Sequence, residues 1–151
     1  MNGRNMHLLR SISAALLITL AGSGAAHAAD VVITNAWFRA LPAGLPAGGY
    51  FVLGNTGTRA ATLSSASSPA CAQLMLHRSI ETGGMSRMMM VRTIRILPHH
   101  HVVFRPGGDH LMCMHPDPLK MKPGSRVAVT LDFTDGTKTA TSFIVRNALG
   151  Q

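Results

Sequence analysis

The feature that most constrains this chain is an alternation of period two that recurs in short runs, with no convincing run of period 3.6 after residue 28. In Arg126–Phe133, Val127, Val129, Leu131 and Phe133 fall on one side of an extended chain. Asp135-Gly136 follows, a dipeptide suited to a tight hairpin. Thr139–Val145 then returns as the partner strand, with Phe143 and Val145 on one face. Further strands are predicted at Val31–Thr34, Ala36–Ala40, Gly49–Leu53, Ala61–Ser64, Leu74–Ile80, Met85–Val91, Val102–Phe104 and His110–Met114. Clusters of Gly, Pro and Asn or Asp punctuate them, as at Pro42–Gly49, Asn55–Gly57, Pro106–Asp109 and Pro116–Gly124. Many short strands at this spacing specify an all-β protein, a sandwich or a barrel.

The N-terminus reads as an export signal. Arg4 and Arg10 form a positive region, Ile12–Ala21 a short apolar stretch, and Ala26-His27-Ala28 an A-x-A cleavage site. The apolar stretch is too short to span a bilayer. The expected division is a signal peptide over residues 1–28 and one domain over residues 29–151, exported to the periplasm and soluble there. Without the signal, twelve Lys and Arg stand against six Asp and Glu, a net charge of about +6. The basic residues are scattered and no aromatic-plus-basic motif accompanies them, which argues against nucleic acid. The charge is suited to steering an acidic partner.

Within this β pattern, His77, Met88, His110 and Met112 follow the spacing His-x10-Met-x21-His-x-Met. Two imidazoles and two thioethers are soft, neutral donors that suit Cu(I) rather than Mg, Ca or Mn. A thioether has no proton to lose and cannot form a disulfide, so it stays a usable ligand in an oxidising compartment. The segment Leu74–Met90 contains a hairpin signal at Glu81-Thr82-Gly83-Gly84. A four-residue loop places His77 opposite Met88; a two-residue Gly83-Gly84 loop places Met90 there, with Met88 as the diagonal neighbour on the same face. His110 and Met112, two apart on a strand, share a face. Met90 and Met114 share that face by parity and are candidate stepping ligands, while Met is otherwise a common gap filler. His99, His100 and His101 follow Pro98 in a predicted loop, either as solvent-facing residues or as a second, weaker Cu(II) or Zn(II) site. Cys71 and Cys113 are the only cysteines, and either a disulfide or two separate buried thiols is open. Cys113 alternates away from Met112, which argues against a thiolate ligand and a blue-copper centre. Trp37 and Tyr50 read as packing residues.

The segments Leu76-His77, Met88 and Pro106-Gly107-Gly108-Asp109-His110-Leu111-Met112-Cys113-Met114, with Ala36–Ala40 and Ala47–Tyr50, resemble the periplasmic copper chaperones called PCu(A)C. The resemblance covers nearly the whole domain. It implies a cupredoxin-like Greek-key β-sandwich and one Cu(I) per chain, held by His77, Met88, His110 and Met112. It also implies delivery to the dinuclear copper centre of cytochrome oxidase. The expected partners are the copper-bearing oxidase subunit, a thiol-bearing assembly factor, or both. A monomer that works at the membrane surface fits this role, and no enzyme motif is present. The alternative is a copper-sequestering protein for metal tolerance with no dedicated acceptor. Some members of the family carry a His/Met-rich tail for Cu(II); this sequence ends at Ala148-Leu149-Gly150-Gln151, so that role does not carry over.

Overall fold

The structure, a computed structural model, describes residues 30–151; the export signal predicted over residues 1–28 lies outside them. Ten strands follow in order: β1 (Val31–Arg39), β2 (Ala47–Asn55), β3 (Ala61–Ser67), β4 (Cys71–Thr82), β5 (Met85–Met90), β6 (Ile94–Ile96), β7 (His101–Phe104), β8 (Asp109–Pro116), β9 (Arg126–Phe133) and β10 (Lys138–Arg146). Among the described residues there is no α-helix, and Pro42–Gly44 forms one 3-10 turn. The strands share one hydrogen-bonded sheet in the order β5-β4-β8-β2-β1-β10-β9-β3-β6, while β7 pairs with β2 beyond the end of β8. The β1–β10 pair is parallel and the other ladders are antiparallel. The sheet curls so that β3 packs on β4, and its two halves enclose one core. This is an all-β fold, as the alternation predicts, and the cupredoxin-like one that the family resemblance implies.

The core is aromatic at its centre. Phe51 stacks on Phe104 with centroids 4.0 Å apart, Phe143 meets Phe51 edge-on at 5.4 Å, and Phe38 lies 5.0 Å from Phe143. Leu53, Leu63, Ile96, Leu111, Val129 and Leu131 fill the space around them. The alternation read in Val127, Val129, Leu131 and Phe133 is the inward face of β9. Gly136 (φ +85°) supplies the turn to β10, as Asp135-Gly136 predicts.

Two details differ from the sequence reading. The two strands expected at Val31–Thr34 and Ala36–Ala40 are one strand, β1, with a register shift between Thr34 and Trp37. Asn35 sits there at φ +53°, a conformation that short polar side chains tolerate, and the inward parity changes from Val31 and Ile33 to Ala36 and Phe38. The bulge therefore reproduces in one strand the break in pattern that suggested two. The short edge strand β6 was not anticipated; Ile94 and Ile96 are buried around exposed Arg95, too short a run to stand out in the sequence.

Candidate metal centre

The site is assembled on the outer face of β4, β5 and β8. In the β4–β8 ladder Leu76 pairs with Leu111 and Leu74 with Cys113, and all four side chains enter the core. The intervening pairs, His77 with His110 and Met75 with Met112, therefore face outward. Two ties hold this register. Arg78 clamps Asp109 beside the histidines, with Nε donating to Oδ1 at 2.6 Å and Nη2 to Oδ2 at 3.1 Å. At the other end a disulfide joins Cys71 to Cys113, with Cα atoms 5.3 Å apart. It resolves the choice left open between a disulfide and free thiols, and it keeps both sulfurs away from the outer face.

The hairpin from β4 to β5 takes the shorter of the two expected loops. Gly83 and Gly84 adopt φ +60° and +78°, the left-handed pair that a two-residue turn needs to follow strand twist. His77 therefore pairs with Met90, and Met88 pairs with Ser79, one diagonal step from His77. The four-residue loop, with Met88 directly opposite His77, is not formed. Met88 keeps the face of the histidines because the two registers have the same parity.

The four candidate residues are brought onto one surface with graded burial. His110 is 4% exposed, His77 and Met112 are half-buried, and Met88 is 62% exposed. Met88, His110 and Met112 line a cleft of about 210 Å³ with Arg39, Tyr50, Pro106 and Gly107. His77 adjoins it, its ring centroid 5.9 Å from that of His110 and the planes at 73°. An ion about 2.0 Å from an imidazole nitrogen lies about 3 Å from the ring centre, so this separation allows both rings to reach one ion.

The ring nitrogens are prepared for such a bond. His110 Nδ1 lies 2.9 Å from the carbonyl oxygen of Gly108. A carbonyl only accepts, so Nδ1 carries the proton and Nε2 offers its lone pair. The Pro106–Gly108 turn aims this carbonyl, which also accepts from the Ser79 amide at 3.1 Å. His77 Nδ1 is buried with no hydrogen-bond partner. An unmet nitrogen of this kind costs about 1–3 kcal/mol, which coordination to a cation would offset. Burial, with a smaller contribution from the facing His110, lowers the His77 pKa below that of an ordinary histidine. The ring therefore stays neutral, the form that binds metal, to a lower pH. Affinity at this site is expected to be full at neutral pH and to fall as pH drops through the lowered His77 pKa, below about 6.5. A chelator-competition series from pH 7.5 to 5 checks this, and a flat profile would exclude the histidines.

Tyr50, read from the sequence only as a packing residue, and Arg39, which the sequence did not single out, are neighbours of the site. Tyr50 is buried, with its ring 6.4 Å from His110 and 4.7 Å from Trp37. It folds back over Gly48, where a Cβ would come within 2.4 Å of the Tyr50 hydroxyl oxygen. The Arg39 guanidinium sits 5.4 Å from the centre of the Tyr50 ring. Their signal lies in the pairing of β1 with β2 and of β2 with β8, the latter a contact between distant segments that no local pattern encodes.

The loop histidines do not join this surface. His99 has φ +58°, His100 Nδ1 is 2.7 Å from the Pro98 carbonyl oxygen, and His101 enters β7 opposite Gly54. Among the described residues no three His, Cys, Asp or Glu side chains converge to hold a metal. Replacing His99, His100 and His101 together with Ala is expected to leave Cu(I) stoichiometry unchanged. A lost Cu(I) equivalent in titration would move the primary site to this loop.

Comparison with known proteins agrees with the fold. Residues 31–145 match the LpqE-like family, described as "Putative lipoprotein LpqE-like". The chain is 30% identical over 127 residues to "Putative lipoprotein Lxx21020" of Leifsonia xyli subsp. xyli, covering 82% of this chain and 74% of that protein. Among solved structures, the Cu(I) form of DR1885 from Deinococcus radiodurans superposes with a TM-score of 0.61 at 28% identity, covering 83% of each chain. The copper-bound PCuAC domain of PmoF2 superposes with a TM-score of 0.64 at 22% identity, covering 78% of this chain and 93% of that domain, a likeness of fold. The chain belongs to the LpqE-like family and has the fold of the PCuAC domains.

Proposed function

We propose that this protein is a periplasmic Cu(I) metallochaperone. One Cu(I) ion is its cargo, bound by His77, Met88, His110 and Met112. The observation that carries the reading is the outward pairing of His77 with His110, flanked by Met112 and Met88, with the His110 Nε2 lone pair free and His77 Nδ1 unmet. Neutral soft donors select Cu(I) over harder ions. The known copper-bound structures that share the fold support the same cargo. The lipoprotein description of the family supports export, and we assign residues 1–28 as a signal peptide cleaved near Ala28 and Ala29.

The graded burial suits transfer. His110 anchors the ion from within the sheet, while Met88 stands in solvent on an edge strand. An incoming Cys or His ligand can replace Met88 first, then Met112, without releasing the ion to water. We assign the acceptor as the dinuclear copper centre of cytochrome oxidase, reached directly or through a thiol-bearing assembly factor. Two titrations test the reading. Competition with a Cu(I) chelator should give one tight site per chain, with Cu(II) bound much more weakly there. Mixing the loaded protein with the apo copper-bearing oxidase subunit should move copper faster than a small Cu(I) chelate does. Preference for Cu(II) would sink the cargo assignment, and copper retained against the acceptor would favour sequestration.

A further inference from the structure

Of the eight methionines among the described residues, only Met121 is in the core. Of the other seven, Met75, Met112 and Met114 are half-buried and Met85, Met88, Met89 and Met90 are exposed, so core filling does not account for them. Strand register places five of the seven, Met75, Met88, Met90, Met112 and Met114, on the face of His77 and His110. Met88 and Met112 belong to the proposed site. Met75 lies directly opposite Met112, and Met114, two residues beyond Met112, is the diagonal neighbour of Met75. Diagonal neighbours lie about 7–8 Å apart with their Cβ atoms somewhat closer, within reach of two long side chains closing on one ion. Both residues are half-buried, and the outward positions of β4 and β8 around them are Gln73, His77, His110 and Met112, with no carboxylate or ammonium. A hard cation finds no charged ligand on this stretch, only the neutral Gln73 amide oxygen, while a soft monovalent ion finds two thioethers.

We infer that Met75 and Met114 form a second, weaker soft-metal subsite that feeds the primary one through Met112. The inference rests on the Cu(I) reading above and extends it. Transfer needs no redox change and no proton. The ion stays monovalent while its bond to Met75 or Met114 breaks and a bond to Met112, then to the histidines, forms. Two-coordinate binding by neutral thioethers lacks the imidazoles, so this subsite fills after the first.

The test is a titration of the full chain, labelled with 13C at the methionine methyls, with Ag(I) as a redox-inert stand-in for Cu(I). Single Met→Leu variants assign the signals. The Met88 and Met112 methyls should move over the first equivalent, and Met75 and Met114 over the second. The double variant Met75→Leu/Met114→Leu should lose the second phase and keep the first, and the persistence of the first phase shows that it is folded. Met75 and Met114 signals that stay fixed through two equivalents would overturn the inference while leaving the primary site intact. Movement of Met85 and Met89 together with them would overturn it too, by showing general surface binding. If Met88 and Met112 do not move at all, the Cu(I) reading itself fails.

Discussion

His110→Ala is expected to reduce Cu(I) affinity by more than a hundredfold, the largest single effect at the site. Loss of a residue that merely orients a ligand costs about 10–100-fold, and His110 is itself the innermost proposed ligand. The variant also removes the Nδ1–H bond to Gly108, worth about 1 kcal/mol, so some loss of apo stability accompanies it. Met88→Ala separates the two effects. Its side chain is 62% exposed on an edge strand, so truncation leaves no cavity and apo stability should change by less than about 0.5 kcal/mol. Its Cu(I) affinity should nevertheless fall. Met112→Ala lies between, because Met112 is half-buried beside Tyr50 and Met75. Chelator competition and urea unfolding of the apo proteins supply both quantities. Unchanged Cu(I) affinity in His110→Ala, or a loss of several kcal/mol in Met88→Ala, would return these residues to a structural role.

The parts of the site that follow from local sequence were legible. Parity alone puts His110 with Met112, and Met88 with His77, on common faces. The glycine pair at 83–84 encoded the hairpin, although a four-residue loop starting at Glu81 satisfied the same hydrophobic pattern; the backbone geometry of two left-handed glycines decides between them. The pairing of His77 with His110 was not legible. It depends on β4 and β8 being neighbours although they are separated by β5, β6 and β7, a contact fixed by core packing of Leu74, Leu76, Leu111 and Cys113. The same holds for Tyr50 on β2 and Arg39 on the adjoining β1, which the β1–β2–β8 pairing brings to the cleft from a distant part of the chain. Trp37 and Tyr50 were legible only as packing residues. They do pack, but Tyr50 does so beside the cleft as one of its walls.

Removing the Cys71–Cys113 disulfide, by Cys71→Ala/Cys113→Ala or by reduction, is expected to destabilise the domain by about 4 kcal/mol. The bond closes a loop of 42 residues, and constraint of an unfolded chain by a loop of that length is worth about this much. For a domain of this size the melting temperature should fall by about 10–20 °C. Alanine suits the test because Cys113 is fully buried and a serine hydroxyl there would need a partner. The consequence for function follows from position. Cys113 is adjacent to Met112 on β8, and Cys71 begins the strand that carries Met75 and His77. The disulfide and the Arg78–Asp109 clamp bracket the stretch of ladder in which both histidines meet. With one tie gone, β8 is held beside β4 by the backbone ladder, by the clamp and by core packing of Leu74, Leu76 and Leu111, and holding the histidines in place for the ion takes more of the binding free energy. Cu(I) affinity, measured well below the lowered melting temperature where the double variant is still folded, should therefore drop several-fold beyond any change in global stability. A variant that melts at the wild-type temperature would mean that the disulfide adds nothing to the fold. A variant that melts lower but binds Cu(I) as tightly as wild type would mean that packing alone sets the β4–β8 register, with the clamp sufficient to hold the histidine pair.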